Sequence, residues 1–368
     1  MSKLEELIQE LCPNGVEYKY LQDVCTFKRG SSLTSKDAKD GNIPVISGGQ
    51  KPAFYHNAAN RTGKTIVIAG SGAYAGYVSF WQQPIFCADS FSVDVQDNTV
   101  LNIKYLYHYL RNNQKAIYNK KTGAGIPHVH GKDIARFRIP VPPLPVQEEI
   151  VRILDNFTEL ATELATELTA RKKQYEYYRA EFLALNTVSK VRIGSICDVF
   201  TGGEPPADCV KRNTPDEAHP YAVWGNGKEI YGYSSTYKID RDAVVISSIG
   251  ANTGAVYFRK ALFTPIIRLK VLVPKNESLD IRYLYHAMSA TKIESKSSSV
   301  PNMNAAEIKA IEIPLPDTAV QKKIAAILDR FDALCNDLST GLPAEIEARK
   351  KQYEYYRDKL LSFKELGA

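Results

Sequence analysis

Apolar residues along this chain follow two different periods. Short runs rich in β-branched and aromatic residues fall at 65–69, 77–81 and 90–95, separated by glycine-rich turns, and predict strands. A helix is predicted over 103–118. After the proline run IPVPPLP at 139–145 the period changes: Ile150, Ile153, Leu154, Phe157, Leu160, Leu164 and Leu168 recur at spacings of three and four, which is one face of a helix. The stripe returns as Ile324, Ile327, Leu328, Phe331, Leu334 and Leu338 after IPLP at 313–316. Both stripes are narrow and flanked by charge, so the two seams are expected to pack on each other. The competing reading packs each helix onto its own domain as a core element.

The recurrence is a duplication. Residues 170–179 and 348–357 carry the same ten letters, ARKKQYEYYR; YLYH occurs at 105–108 and 283–286; QEEIVRILD at 147–155 resembles QKKIAAILD at 321–329. Cys25 and Gly30 align with Cys197 and Gly202, and 66–80 resembles 244–258, with the offset always between 172 and 178 residues. The helices repeat well and the loops diverge, as for one scaffold carrying two different reading surfaces. The predicted organisation is a compact α+β domain over 1–143, a long spacer helix over 144–187, a second domain over 188–316 and a second helix over 317–365. That last helix is interrupted near 341–343, where Gly341 and Pro343 stand. A helix from Val146 to Leu185 reaches about 60 Å at about 1.5 Å per residue.

Composition changes this picture little. At 368 residues, 44% of them hydrophobic, the chain can fill two cores, and 47 Lys and Arg against 41 Asp and Glu permit an anionic partner without demanding one. The six cysteines lie far apart with no zinc-ligand spacing and are expected to be reduced thiols, and the acidic amphipathic opening segment is unlike a secretion signal; a cytoplasmic protein is expected. Residues 65–88 lack charge, but Gly70, Gly72, Gly76 and Pro84 divide them into strands rather than a membrane span. No methyltransferase motif is present. Gly63, Lys64 and Thr65 end like a phosphate loop, yet Ala58 replaces its first glycine and a strand follows. His128 and His130 lack a third ligand, so no metal site is expected. No catalytic residue is expected.

The prolines followed by Gln147 and an ILD helix, the threefold TELA-type repeat at 158–169 and the ARKKQYEYYR segments together resemble the specificity subunit of type I restriction-modification systems. The likeness covers essentially the whole chain, strongly in the helices and weakly between them. It implies two mixed α/β target recognition domains separated by two long antiparallel helices in a coiled-coil-like spacer, closed with approximate twofold symmetry. It implies double-stranded DNA as ligand, read as two half-sites across a gap, and two docked DNA methyltransferase subunits that an endonuclease or translocase subunit joins. S-adenosylmethionine and ATP would belong to those partners, with no cofactor in this chain. A bivalent protein adaptor is the alternative.

Under that resemblance the DNA-binding candidates come from polar loops. They are Gly49, Gln50 and Lys51 in GGQK, Asn226 and Lys228 in the corresponding GNGK, Ser71 and Tyr74 with Asn252 and Thr253 in matching glycine-flanked turns, His128, His130 and Asn302. Residues 111–138 hold seven Lys or Arg against one Asp, making Lys120, Lys121, Lys132, Arg136 and Arg138 candidates to track phosphates; a solvated basic face is the plainer reading. Spacer and docking candidates are Leu160, Leu164, Leu168, Arg171, Tyr175, Arg179, Arg349, Tyr353 and Arg357. The TELA repeat is expected to act as a ruler, each unit adding about 6 Å of rise, against the alternative of helix filler.

Overall fold

The computed structural model describes residues 2–123, 125–184, 188–250, 252–291 and 303–367. It divides into two compact units, 1–164 with 346–368, and 165–345.

The first unit opens with α1 (Lys3–Leu11), whose Ser2 and Glu5 form a reciprocal cap. It continues through β1 (Glu17–Tyr20), α2 (Leu21–Val24), β2 (Cys25–Arg29), β3 (Ile43–Ile46), β4 (Phe54–His56), β5 (Thr65–Ala69), β6 (Val78–Trp81), β7 (Phe86–Cys87), β8 (Ser90–Val95), α3 (Ile103–Asn112), α4 (Gln114–Tyr118), α5 (Gly131–Ile134) and β9 (Arg138–Val141), then enters α6 (Leu144–Leu183). The second unit follows the same order, without counterparts of α1 and α4 among the described residues: β10 (Lys190–Arg192), α7 (Ile193–Ile196), β11 (Cys197–Thr201), β12 (Tyr221–Trp224), β13 (Gly232–Ser234), β14 (Ala243–Ile246), β15 (Val256–Arg259), β16 (Phe263–Pro265), β17 (Lys270–Pro274), α8 (Ile281–Ala290), α9 (Ala305–Ala310), β18 (Glu312–Pro314) and α10 (Thr318–Asn336), after which α11 (Leu342–Leu360) belongs for most of its length to the first unit.

Both units share one topology. A four-stranded antiparallel sheet runs β2-β8-β5-β6 in the first and β11-β17-β14-β15 in the second; three-stranded sheets run β4-β3-β7 and β13-β12-β16, and β1-β9 matches β10-β18. Strand β5 pairs Ile66 with Val93, and β14 pairs Val244 with Leu272. All five residues of β5 are buried. Ile66 and Ile68 join the core under α3, while Val67 joins a smaller cluster with Ile46, Ile85 and Cys87 from the other sheet's side. A strand covered on both faces has no need to alternate, so it reads as an unbroken apolar run.

The predicted helix over 103–118 is broken at Asn113 into α3 and α4. The apolar stripes also divide. Val146, Ile150, Val151 and Leu154 are buried in the first core, and Ile324, Ala325 and Leu328 in the second, so the opening turns of α6 and α10 are core elements of their own domains. Beyond them the seams meet other helices: Phe157 lies against Tyr353 and Tyr356 of α11, and Phe331 of α10 stacks on Tyr175 and Tyr178 of α6. Ile327 and Leu334 stay exposed, and Leu338 lies outside the helix altogether, 72% exposed.

The compact units are therefore not the two sequence repeats. The first decapeptide, 170–179, falls in the unit of the second globular domain, and the second, 348–357, in that of the first. Between α10 and α11, Asp337 turns the chain by accepting from the backbone and hydroxyls of Ser339 and Thr340. Pro343 sits in the first turn of α11, where its missing N–H costs nothing.

Candidate nucleic-acid interface

The helix that leaves each globular fold, α6 in the first and α10 in the second, is joined to it by one repeated polar joint. In the first unit Gln147, buried, accepts from Asn102 N at 2.8 Å and donates to Val100 O and Pro142 O at 2.9 and 2.7 Å. Gln321 does the same with Asp280 N, Ser278 O and Pro316 O at 2.8, 2.9 and 2.8 Å. The first tyrosine of each YLYH also reaches a proline carbonyl, Tyr105 to Pro140 at 3.0 Å and Tyr283 to Pro314 at 2.7 Å. The histidine meets the aspartate of ILD, His108 with Asp155 at 3.1 Å and His286 with Asp329 at 2.7 Å; Lys104 and Arg282 complete the two clusters. The repeated letters encode this joint, which fixes how each long helix leaves its domain.

In the first unit the loops at the end of β5 gather most of the candidates. Gly48 packs so closely on the Ser71 carbonyl that no Cβ fits, which places the following Gly49, Gln50 and Lys51 beside the turn holding Ser71 and Tyr74. The backbone of Ser71 bridges to that of His128, and His128 pairs with Thr122 in both directions, at 2.8 and 2.9 Å. The exposed rings of His128 and His130 lie parallel, 6.3 Å apart. Lys121 donates to Ala73 O at 3.1 Å, and Tyr74 is 46% exposed. Lys120 stands apart, over the Phe137 ring. Ser71 itself is buried and donates its hydroxyl to Asp89. Among the basic residues Lys132 and Arg136 are exposed, whereas Arg138 is ion-paired with Glu365.

In the second unit GNGK lies against the same part of the fold. Asn226 is a strut: its side-chain oxygen accepts from Ser248 N at 2.8 Å and Ser247 Oγ at 3.3 Å, and its amide donates to Ile267 O. Lys228 is exposed. Arg259 stacks over Trp224 at 3.7 Å and reaches toward the carbonyls of Gly227 and Lys228 at 3.5 Å; burial draws its guanidinium down to about 10. Asn252 is exposed in a turn where its carbonyl accepts from Ala255 N, and Thr253 Oγ1 donates to Gly250 O at 2.7 Å. Asn302 lies outside the described residues.

Sequence reasoning missed the turn beside this strut. Ile267 and Arg268 have φ of 51° and 60°, the left-handed region, where a non-glycine residue costs about 1–2 kcal/mol and a β-branched one is a rare outlier. The turn is closed by Leu269 N to Ile266 O at 3.1 Å and braced by Ile267 N to Gly203 O, Arg268 N to Gly202 O and Ser248 Oγ to Arg268 O, at 2.8, 3.1 and 2.6 Å. In the first unit the matching turn is one residue shorter: Asp89 alone stands between Ala88 and Ser90, where Ile267 and Arg268 stand between Ile266 and Leu269, and Gly30 N bonds Ser90 O as Gly202 N bonds Leu269 O. No letter pattern marks such a turn, because Ile-Arg is unlike the Asn-Gly expected there.

Of the docking candidates, Tyr175 is buried with its hydroxyl 3.3 Å from His286, and Arg179 lies over its ring. Tyr353 packs on Phe157, and Arg357 donates to Asn112 at 2.7 Å. Arg171 and Arg349 bond Gln174 and Gln352 one turn on, Leu160 and Leu164 are half-buried, and Leu168 lines the second core. The outward aromatics of the decapeptides are Tyr177 and Tyr355, 62% and 63% exposed.

Two copies of one mixed α/β fold, each carrying a polar loop cluster and tied to a long helix, define a duplicated recognition protein. Residues 13–173 and 186–348 each match the type I restriction modification DNA specificity domain, and the chain belongs to that family as a specificity subunit. It is 34% identical over 311 residues to a putative type I specificity subunit of Mycoplasma pneumoniae, covering 79% of this chain and 91% of that one. To the specificity subunit of the EcoR124I/EcoR124II type I restriction enzyme of Escherichia coli it is 27% identical over 419 residues, covering 99% and 97%. The fold is also that of the S subunit of a type I restriction-modification system from M. genitalium, with TM-score 0.71 at 18% identity over 94% of this chain and 96% of the other. Among the described residues no helix is long and apolar enough to cross a membrane.

Proposed function

We propose that this chain reads a bipartite site on double-stranded DNA, each unit's loop cluster taking one half, with the long helices α6 and α11 setting the gap. The observation that carries this reading is the contrast between the repeated joints, built on the same glutamine, tyrosine, histidine and aspartate, and the loop clusters, equivalent in place but different in residues. Duplication of a support with divergence of what it supports suits two unrelated half-sites on one scaffold. Two DNA methyltransferase subunits dock on the helical parts, where Tyr177 and Tyr355 offer the same exposed aromatic twice, and an endonuclease or translocase subunit joins through them. Methyl transfer and cleavage belong to those partners, with S-adenosylmethionine and ATP, and this chain contributes neither cofactor nor catalytic group. The complex works in the cytoplasm.

Binding of the assembled complex to duplex DNA, measured from about 50 to about 200 mM salt, tests this. Contacts to several phosphates make affinity fall by orders of magnitude over that range. A bivalent protein adaptor would show almost no slope, and such a result overturns the proposal.

A further inference from the structure

The strained turn between β16 and β17 is the most unusual backbone among the described residues. Apart from glycines, the described left-handed residues are Leu262, Ile267 and Arg268, and the last two are consecutive. The turn is held from three sides, by Asn226 of GNGK, by Ser248 at the end of β14 and by the backbone of Gly202 and Gly203. Strained residues persist only where their surroundings over-determine them, and they cluster where a side chain must be aimed. Here the aimed side chain is Arg268. It is exposed and makes no hydrogen bond or ion pair among the described residues, while its backbone is bonded on both sides. Buried Lys270, which donates to Thr201 Oγ1, lies nearby, and Arg259 and Lys228 across GNGK add further positive charge.

From this geometry we infer that Arg268 is the specificity-determining residue of the second unit, its guanidinium directed at a base edge that offers two acceptors, as guanine does in the major groove. This rests on the DNA-reading function proposed above. An arginine that only tracked phosphates would need no strained, triply braced backbone, since a flexible surface side chain does that equally well. The first unit supports the assignment by contrast: its matching turn is one residue shorter and carries exposed Asp89, a carboxylate held by Ser71 Oγ, an acceptor in place of a donor. The two units therefore present opposite hydrogen-bonding chemistry at the equivalent place, as needed for reading different bases.

The test uses the assembled complex and a panel of duplexes in which each base pair of the recognised site is changed in turn. With wild-type chain, one position of one half-site should require guanine. Arg268→Ala should reduce discrimination at that position about 10- to 100-fold and leave the other positions as they were. Arg268→Lys should restore affinity more fully than discrimination, because a flexible ammonium lacks the planar fork that matches both acceptors at once. Arg268→Gln, with melting followed alongside, guards against loss of fold. Uniform weakening across the panel with the preferred sequence unchanged marks a phosphate contact and overturns the inference, as does an unchanged panel. A wild-type complex with no sequence preference overturns the underlying reading itself, and is seen before any variant is made.

Discussion

The behaviour of single residues in this chain is governed by what surrounds their polar atoms. Gln147 and Gln321 each satisfy three buried backbone groups. Gln147→Leu keeps the volume and strands one N–H and two carbonyls, so denaturant titration should show a loss of about 2–4 kcal/mol; Gln321→Leu should match it. Relief of strain acts in the other direction. Ile267→Gly removes about 1–2 kcal/mol of left-handed cost against about 0.5–1 kcal/mol of added chain entropy, so melting temperature should rise slightly while DNA discrimination falls. His286 supplies a pH dependence. Burial holds it below the ordinary histidine value, only partly offset by Asp329, so the folded chain keeps it neutral. Its contribution is full above the unfolded value of about 6.5 and is lost as pH falls from there through the folded value, because the unfolded chain takes up a proton that the folded one resists. Melting temperature should drop between about pH 7.5 and 5.5, and His286→Gln should flatten that drop; an unchanged slope contradicts the assignment.

The TELA repeat of α6 is testable as a ruler of the gap. One further TELA unit lengthens the helix by about 6 Å with an added rotation of about 40°, and should widen the gap between half-sites by one or two base pairs, read by mapping the modified sites. An unchanged gap leaves the repeat as helix filler. Strands β5 and β8 and the start of α6 were legible because periodicity and proline punctuation act locally. The joints were legible as letters but not as a device, since Gln147 with Asn102, or His286 with Asp329, become partners only once the chain has folded back over some forty residues. The exchange of decapeptides between units was hidden for a related reason. Direct repetition suggests that each helix serves its own copy, whereas the aromatic partners Phe157 and Phe331 take up the other copy's tyrosines. The loop candidates came from residue type alone, which cannot separate a strut such as Asn226 from an exposed reader, and which passed over Ile267 and Arg268 because strain leaves no mark in composition.

For the whole molecule, bipartite recognition requires two similar units with independent reading surfaces on a common support. Salt dependence can show that DNA is bound, but not that the units read separately. Mapping the positions modified by the assembled complex, for the wild-type chain and for one whose loops 48–51 and 71–74 are replaced, tests that most directly. Two short fixed sequences at a constant gap are expected, with the replacement changing one of them and leaving the other and the gap untouched. A single uninterrupted site, or a replacement that alters both halves together, would contradict this.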